Sequence, residues 1–224
     1  FESRSDWARY LSVLELKLSR STSDDEKVDT LLRLMKLASR EMKDGEKSLA
    51  YVEQAHALKP KDLEIQRMLI DAYLEAGRNE MAADAIEKLI QEEEKKGVRK
   101  SKELSVYLHM LGKVYEQRGQ LDEALKKYEE ANKIDLANFA VNFSLGSLYE
   151  KQGDVEKAMK VFRPLLLQNL EGTGIDKADV YFKLGRMHAA KGEKNKAITM
   201  FDRGLSANPK HAEMKALLAE LKGK

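Results

Sequence analysis

Apolar residues recur along this chain at intervals of three and four, and turn-forming residues separate the runs. Leu108, Leu111, Val114 and Tyr115 fall on one face of a first helix, and Leu121, Ala124, Leu125, Tyr128 and Ala131 on one face of a second. Between them stands Gly119, a residue that reaches the left-handed conformation of a helix C-cap without steric cost. At the start of the chain, Trp7, Tyr10, Leu11, Leu14 and Leu18 predict an amphipathic helix over 6–20. At its end, Ala212, Leu217, Leu218 and Leu221 predict another over 211–222. The pattern is that of an all-α chain of consecutive short helices.

The pattern also repeats. A shift of 34 residues carries Leu111-Gly112 onto Leu145-Gly146, Tyr115 onto Tyr149, Gly119 onto Gly153, Ala124 onto Ala158 and Tyr128 onto Phe162. A further copy holds Leu184-Gly185, Gly192, Ala197, Phe201 and Pro209. A period of about 34 is the signature of a helix–turn–helix repeat. These residues resemble the tetratricopeptide repeat, whose pattern runs Leu-Gly, Tyr, Gly, Ala, Tyr or Phe, Ala and Pro. The stretch 105–138 lacks only the proline, where Leu136 stands. The resemblance implies an α-α solenoid of helical hairpins, a right-handed superhelix of about eleven helices.

Punctuation divides the chain into an N-terminal helix, either partial repeat or cap (1–22), a degenerate repeat (23–62) and a repeat with an extended second helix (63–104). There follow a regular repeat (105–138), one with a Pro-kinked second helix and an inserted loop (139–177), another repeat (178–211) and a C-terminal capping helix (212–224). Ser23 and Glu26 read as a capping box for a helix over 26–43, and Asp62 and Asn79 as N-caps. The polar run Gln91 to Lys96 predicts a helix end that overhangs the stack. Pro164 predicts a kink or restart, because it removes a backbone donor. The loop 171–175 reads as plain surface, since no Lys-Ser/Thr follows its glycines.

Composition narrows the function. The chain is 42% hydrophobic and 35% charged, with a formal net charge of +2 and no cysteine, which excludes disulfides and thiolate metal sites. The lack of cysteine suits a reducing compartment, so a cytoplasmic location is the expectation. No apolar run approaches the roughly 20 residues of a membrane span. A chain that begins with Phe1 reads as a fragment of something longer. His56, His109, His188 and His211 fall in different repeats without ligand spacing, and no Gly-x-Ser-x-Gly elbow occurs. Glu92, Glu93 and Glu94 read as a solvated helix face. No metal, cofactor or catalytic set is expected.

Binding is the better expectation. In the family that the chain resembles, the first helices line a concave groove, faced by the second, fifth, ninth and twelfth residues of each repeat. The resemblance thereby implies a groove containing Arg67, Asp71, His109, Lys113, Glu116, Phe143, Ser147, Glu150, Phe182 and Arg186. Lys183 joins them from the positions at which chaperone adaptors of the family hold a C-terminal carboxylate. The remainder of that carboxylate-holding set is missing, and Asp71 or Asp179 would oppose the ligand charge. The implied partner is a protein or peptide, an extended or helical segment with apolar anchors and acidic residues. Two readings compete for Phe143 and Phe182, groove exposure and packing against neighbouring helices. Self-assembly through the terminal helices stays open. Nucleic-acid binding ranks below it: residues 178–224 hold 10 Lys and Arg against 5 Asp and Glu, but no continuous basic stripe interleaved with aromatics.

Overall fold

The computed structural model describes residues 4–98 and 101–223. Among them are twelve α-helices and no strand, in two compact units, Phe1–Glu92 and Glu93–Lys224.

The first unit holds α1 (Arg4–Arg20), α2 (Asp24–Leu37), α3 (Gly45–Leu58), α4 (Leu63–Glu75) and most of α5 (Asn79–Lys95). Helix α1 packs on α2, α2 on α3 and α3 on α4, and the buried residues of this unit include Leu34, Leu49, Val52 and Ile70. Ser23 Oγ accepts the Glu26 amide at 3.1 Å, and Asp62 Oδ1 accepts those of Glu64 and Ile65, so both act as N-caps. Asn79 does not. It is the first residue of α5, and its Oδ1 is buried without a hydrogen-bond partner. The helix expected over 26–43 widens into a π-turn at Ala38–Met42, which ends when Lys43 turns left-handed at φ 54° and donates its amide to the Ala38 carbonyl.

The second unit is built from hairpins. Helix α6 (Lys102–Gln117) pairs with α7 (Leu121–Ile134), α8 (Phe139–Lys151) with α9 (Val155–Phe162), and α10 (Lys177–Ala190) with α11 (Lys194–Ala207), while α12 (Ala212–Lys222) lies on α11. One contact repeats in every hairpin. A Cβ on Gly112 would stand 2.5 Å from the Tyr128 ring, on Gly146 2.8 Å from Phe162, and on Gly185 2.4 Å from Phe201. The three rings are fully buried. The Leu-Gly dipeptide of each first helix is therefore the seat of the aromatic residue from the second. Gly119 and Gly153 end first helices at φ +75° and +82°, as their turns require.

Two departures from the repeat shape this unit. Pro164 stops α9 at Phe162, and a 3-10 turn, Arg163–Leu167, follows, because the ring removes a helical donor. At the other end, Glu93 corrects the reading of Glu92 to Glu94 as a solvated face. It is only 6% exposed, accepts from Ser101 Oγ at 2.6 Å and pairs with Lys96 at 2.5 Å. Ser101 in turn caps α6 by accepting the Leu104 amide. The Lys96 ammonium, and then the Ser101 hydroxyl, hold the Glu93 carboxyl below its ordinary pKa. This helix end is tied to the start of α6 rather than overhanging.

Candidate functional site

Side-chain pairs join each first helix of the second unit to the next. Between α6 and α8, His109 Nε2 and Ser144 Oγ share a hydrogen bond of 2.8 Å. Lys183 on α10 donates to Glu150 on α8 at 2.7 Å, with both side chains only about a fifth exposed (23% and 21%). An ion pair so far removed from water interacts more strongly than an exposed one, and breaking it leaves a poorly solvated charge. His211 Nε2 approaches Asp179 at 4.0 Å, while its Nδ1 accepts the Met214 amide and caps α12.

The aromatic residues sit within this ladder, half-buried. Phe143 meets Phe162 edge-on at 5.8 Å, and the Lys183 ammonium lies 5.7 Å from the Phe143 ring and 5.6 Å from that of Phe162. Phe182 packs on His211 at 4.6 Å and on Phe201 at 6.2 Å, and its open side carries the Arg186 guanidinium at 5.7 Å. Neither competing reading of these rings holds by itself. Each ring is part core and part surface. His109 lies 5.4 Å from the Tyr128 ring, whose hydroxyl donates to Glu116 at 3.0 Å. Burial, and then the Lys113 charge, lower the His109 pKa to about 4, so the imidazole is neutral at physiological pH. Burial, and then the Glu116 charge, raise that of Tyr128.

Of the residues implied for the groove, the structure thus gathers Phe143, Glu150 and Lys183 into one cluster, Phe182 and Arg186 into a second, and His109 and Glu116 around Tyr128 in a third. Lys113 is exposed on α6, near enough to His109 for its charge to act there. Ser147 lies on α8 with a buried hydroxyl that has no hydrogen-bond partner, so it offers nothing to a ligand as it stands. Arg67 and Asp71 are exposed on α4 of the first unit and belong with that unit.

One feature escaped the sequence. Arg186 and Glu150 border a cavity of about 410 Å³ whose floor includes Met187, Phe201, Leu217 and Leu221. The stripe on α12 is legible at helical spacing, but its Leu217 and Leu221 line this cavity as well as capping the stack. The basic C-terminal segment is also less basic than its composition. Lys191 pairs with Glu156, Lys196 with Glu193 and Lys222 with Asp202. Among the described residues no group of three His, Asp or Glu could hold a metal ion, and no helix is long and apolar enough to cross a membrane.

Helical hairpins stacked in order, each seating an aromatic ring on a glycine, define a helical-repeat protein. Family models described as TPR repeat and tetratricopeptide repeat match residues 112–153, 143–171 and 178–211, so these stretches of the second unit are tetratricopeptide repeats. No curated protein matches it. Among solved structures it is similar to BtubC from P. vanneervenii, with 20% identity over 92% of this chain and 89% of that one and a TM-score of 0.69. YrrB, described as a TPR protein with an unusual peptide-binding site, is 19% identical over 88% and 97%, with a TM-score of 0.58. The first TPR of Spaghetti (RPAP3), bound to an HSP90 peptide, is 18% identical over 56% and 96%, with a TM-score of 0.50. Identities this low speak for the fold alone.

Proposed function

We propose that this chain is a non-catalytic interaction scaffold, acting in the reducing environment of the cytoplasm, that holds a peptide or helical segment of a partner protein along α6, α8 and α10. The carrying observation is Arg186, exposed and laid over Phe182 at the mouth of the apolar cavity that Leu217 and Leu221 help to line. An apolar anchor in that cavity would lose water-exposed area, and a neighbouring carboxylate would meet the guanidinium. Lys183 is neutralised by Glu150, so the ligand charge would fall on Arg186 and Lys113, which are both exposed. A peptide-binding site in one protein of the same fold and a peptide complex of another support the reading without naming a partner.

The test is a pull-down with the intact chain and a Lys113→Glu, Arg186→Glu variant, with quantitative identification of what each retains. Loss of a defined set of proteins by the folded variant supports the reading. Equal recovery by both chains refutes it.

A second reading has its own observation. On α1, Tyr10, Val13 and Leu16 are 46%, 61% and 51% exposed, an apolar strip that self-association would cover. Light scattering of the intact chain against one beginning near Ser23 separates the two: a mass that falls by half or more on truncation favours assembly through α1.

A further inference from the structure

We propose that the groove between α7 and α9 is a second docking surface, built for an acidic amphipathic segment of a partner protein. It is a cavity of about 590 Å³ that uses Asn142, Leu145 and Tyr149 of α8, a different set from Phe143, Ser147 and Glu150. An adjoining depression of about 510 Å³ shares Lys157, Lys160 and Pro164 with it and extends to Leu167. The two border each other along Lys157, Lys160 and Pro164.

Packing does not account for its apolar residues. Leu136 is 72% exposed and Leu167 is 90% exposed, so the core gains almost nothing from either, whereas Leu165 in the same 3-10 turn is fully buried. Leu136 occupies the position at which the repeat pattern carries proline. Leu167 is presented by the turn that Pro164 imposes where α9 would otherwise continue. Both irregularities of these two repeats therefore open onto the same groove, and each places an apolar side chain in water.

Charge selects the occupant. Lys133, Lys160 and Arg163 are exposed along the groove. Of the carboxylates nearby, Asp154 pairs with Lys157 at 2.8 Å and Glu156 pairs with Lys191, while Glu129 accepts from the Tyr149 hydroxyl at 2.5 Å and keeps its charge, one anion against the three exposed cations. The surface is thus apolar at Leu136, Pro164 and Leu167 and cationic between them. It matches a segment whose leucine- or phenylalanine-like anchors are flanked by Asp and Glu.

The test selects 16-residue random peptides displayed on phage against the full chain. Parallel selections use a Lys133→Glu, Lys160→Glu variant and the Lys113→Glu, Arg186→Glu variant. Enriched peptides are then synthesised and titrated by fluorescence anisotropy, with circular dichroism confirming that each variant is folded. The expected result is a family rich in Asp and Glu with apolar residues at helical spacing. Its affinity should fall by about tenfold or more in the Lys133→Glu, Lys160→Glu variant and also in Leu136→Ser, yet hold in the Lys113→Glu, Arg186→Glu variant. The proposal is overturned if no acidic family separates the wild type from the Lys133→Glu, Lys160→Glu variant. It is overturned equally if the acidic peptides ignore both that change and Leu136→Ser. Sedimentation with phosphatidylserine vesicles and light scattering complete the test. A groove occupied by the membrane or by a second copy would bind or assemble through Lys133 and Lys160 while selecting no peptide, and this also refutes the proposal.

Discussion

Gly185→Ala tests the packing logic of the whole second unit. The added Cβ would stand 2.4 Å from Cε1 and 2.6 Å from Cδ1 of Phe201, against the roughly 3.5–4.0 Å of a normal carbon contact. Phe201 is fully buried, so its ring cannot move into solvent, and either it or α10 must shift by about 1 Å. Overpacking of this kind costs about 1–3 kcal/mol. It is opposed by the gain of about 1 kcal/mol when alanine replaces glycine inside a helix. The expected net effect is a loss of about 0–2 kcal/mol, rising toward 3 for Gly146→Leu, whose larger side chain must displace Phe162. Phe201→Leu combined with Gly185→Ala should recover part of the loss, because the narrower side chain vacates the clash. Gly45 has nothing within 4 Å of its Cβ position, so Gly45→Ala should instead stabilise by about 0.4–1 kcal/mol. Urea unfolding followed by far-ultraviolet circular dichroism measures all four, with slopes compared as well as midpoints, since a two-unit repeat chain need not unfold in one step. A Gly185→Ala protein more stable than its parent would show that the glycine is not the seat of the ring.

His109 supplies a pH test. Its folded pKa of about 4 lies below the ordinary 6.5, so the unfolded chain takes up the proton first as pH falls. The stability gained by keeping it neutral is complete above about 6.5 and is lost toward 4; the stability difference between wild type and His109→Gln should shift across that window, and parallel profiles would refute the assignment. Phe182→Ala should lower unfolding stability by about 2 kcal/mol, below the 3–5 of a fully buried ring, because one side of Phe182 faces Arg186 rather than core; calorimetry showing no loss would mean that the ring is not packed. Glu93→Ala should cost about 1–3 kcal/mol by removing the charged acceptor of the Ser101 hydroxyl, which is left with the longer 3.3 Å bond to Glu103, and an unchanged urea midpoint would count against the buried role.

Local geometry was readable from the chain itself. Leu-Gly in a first helix and Tyr or Phe sixteen positions later are fixed in spacing by one hairpin, so the 34-residue period marked Gly112, Tyr128, Gly185 and Phe201, while the seating of each ring on its glycine came from the structure. The caps at Ser23 and Asp62 were legible for the same reason, each acting on amides two or three residues away. Pro164 declared a break through the chemistry of its own ring. What needed the tertiary structure is whatever depends on a neighbouring element. Glu93 sits among charged residues that continue a helix, and only the return of the chain at Ser101 removes it from water. Lys183 meets Glu150 from 33 residues away, and Phe182 meets His211 only because α12 lies alongside. The same holds for the cavity beside Arg186 and for the groove that unites Leu136 with Leu167. Periodicity tells a side chain which face of its own helix it occupies; whether that face meets protein, ligand or water is decided by the helix packed beside it.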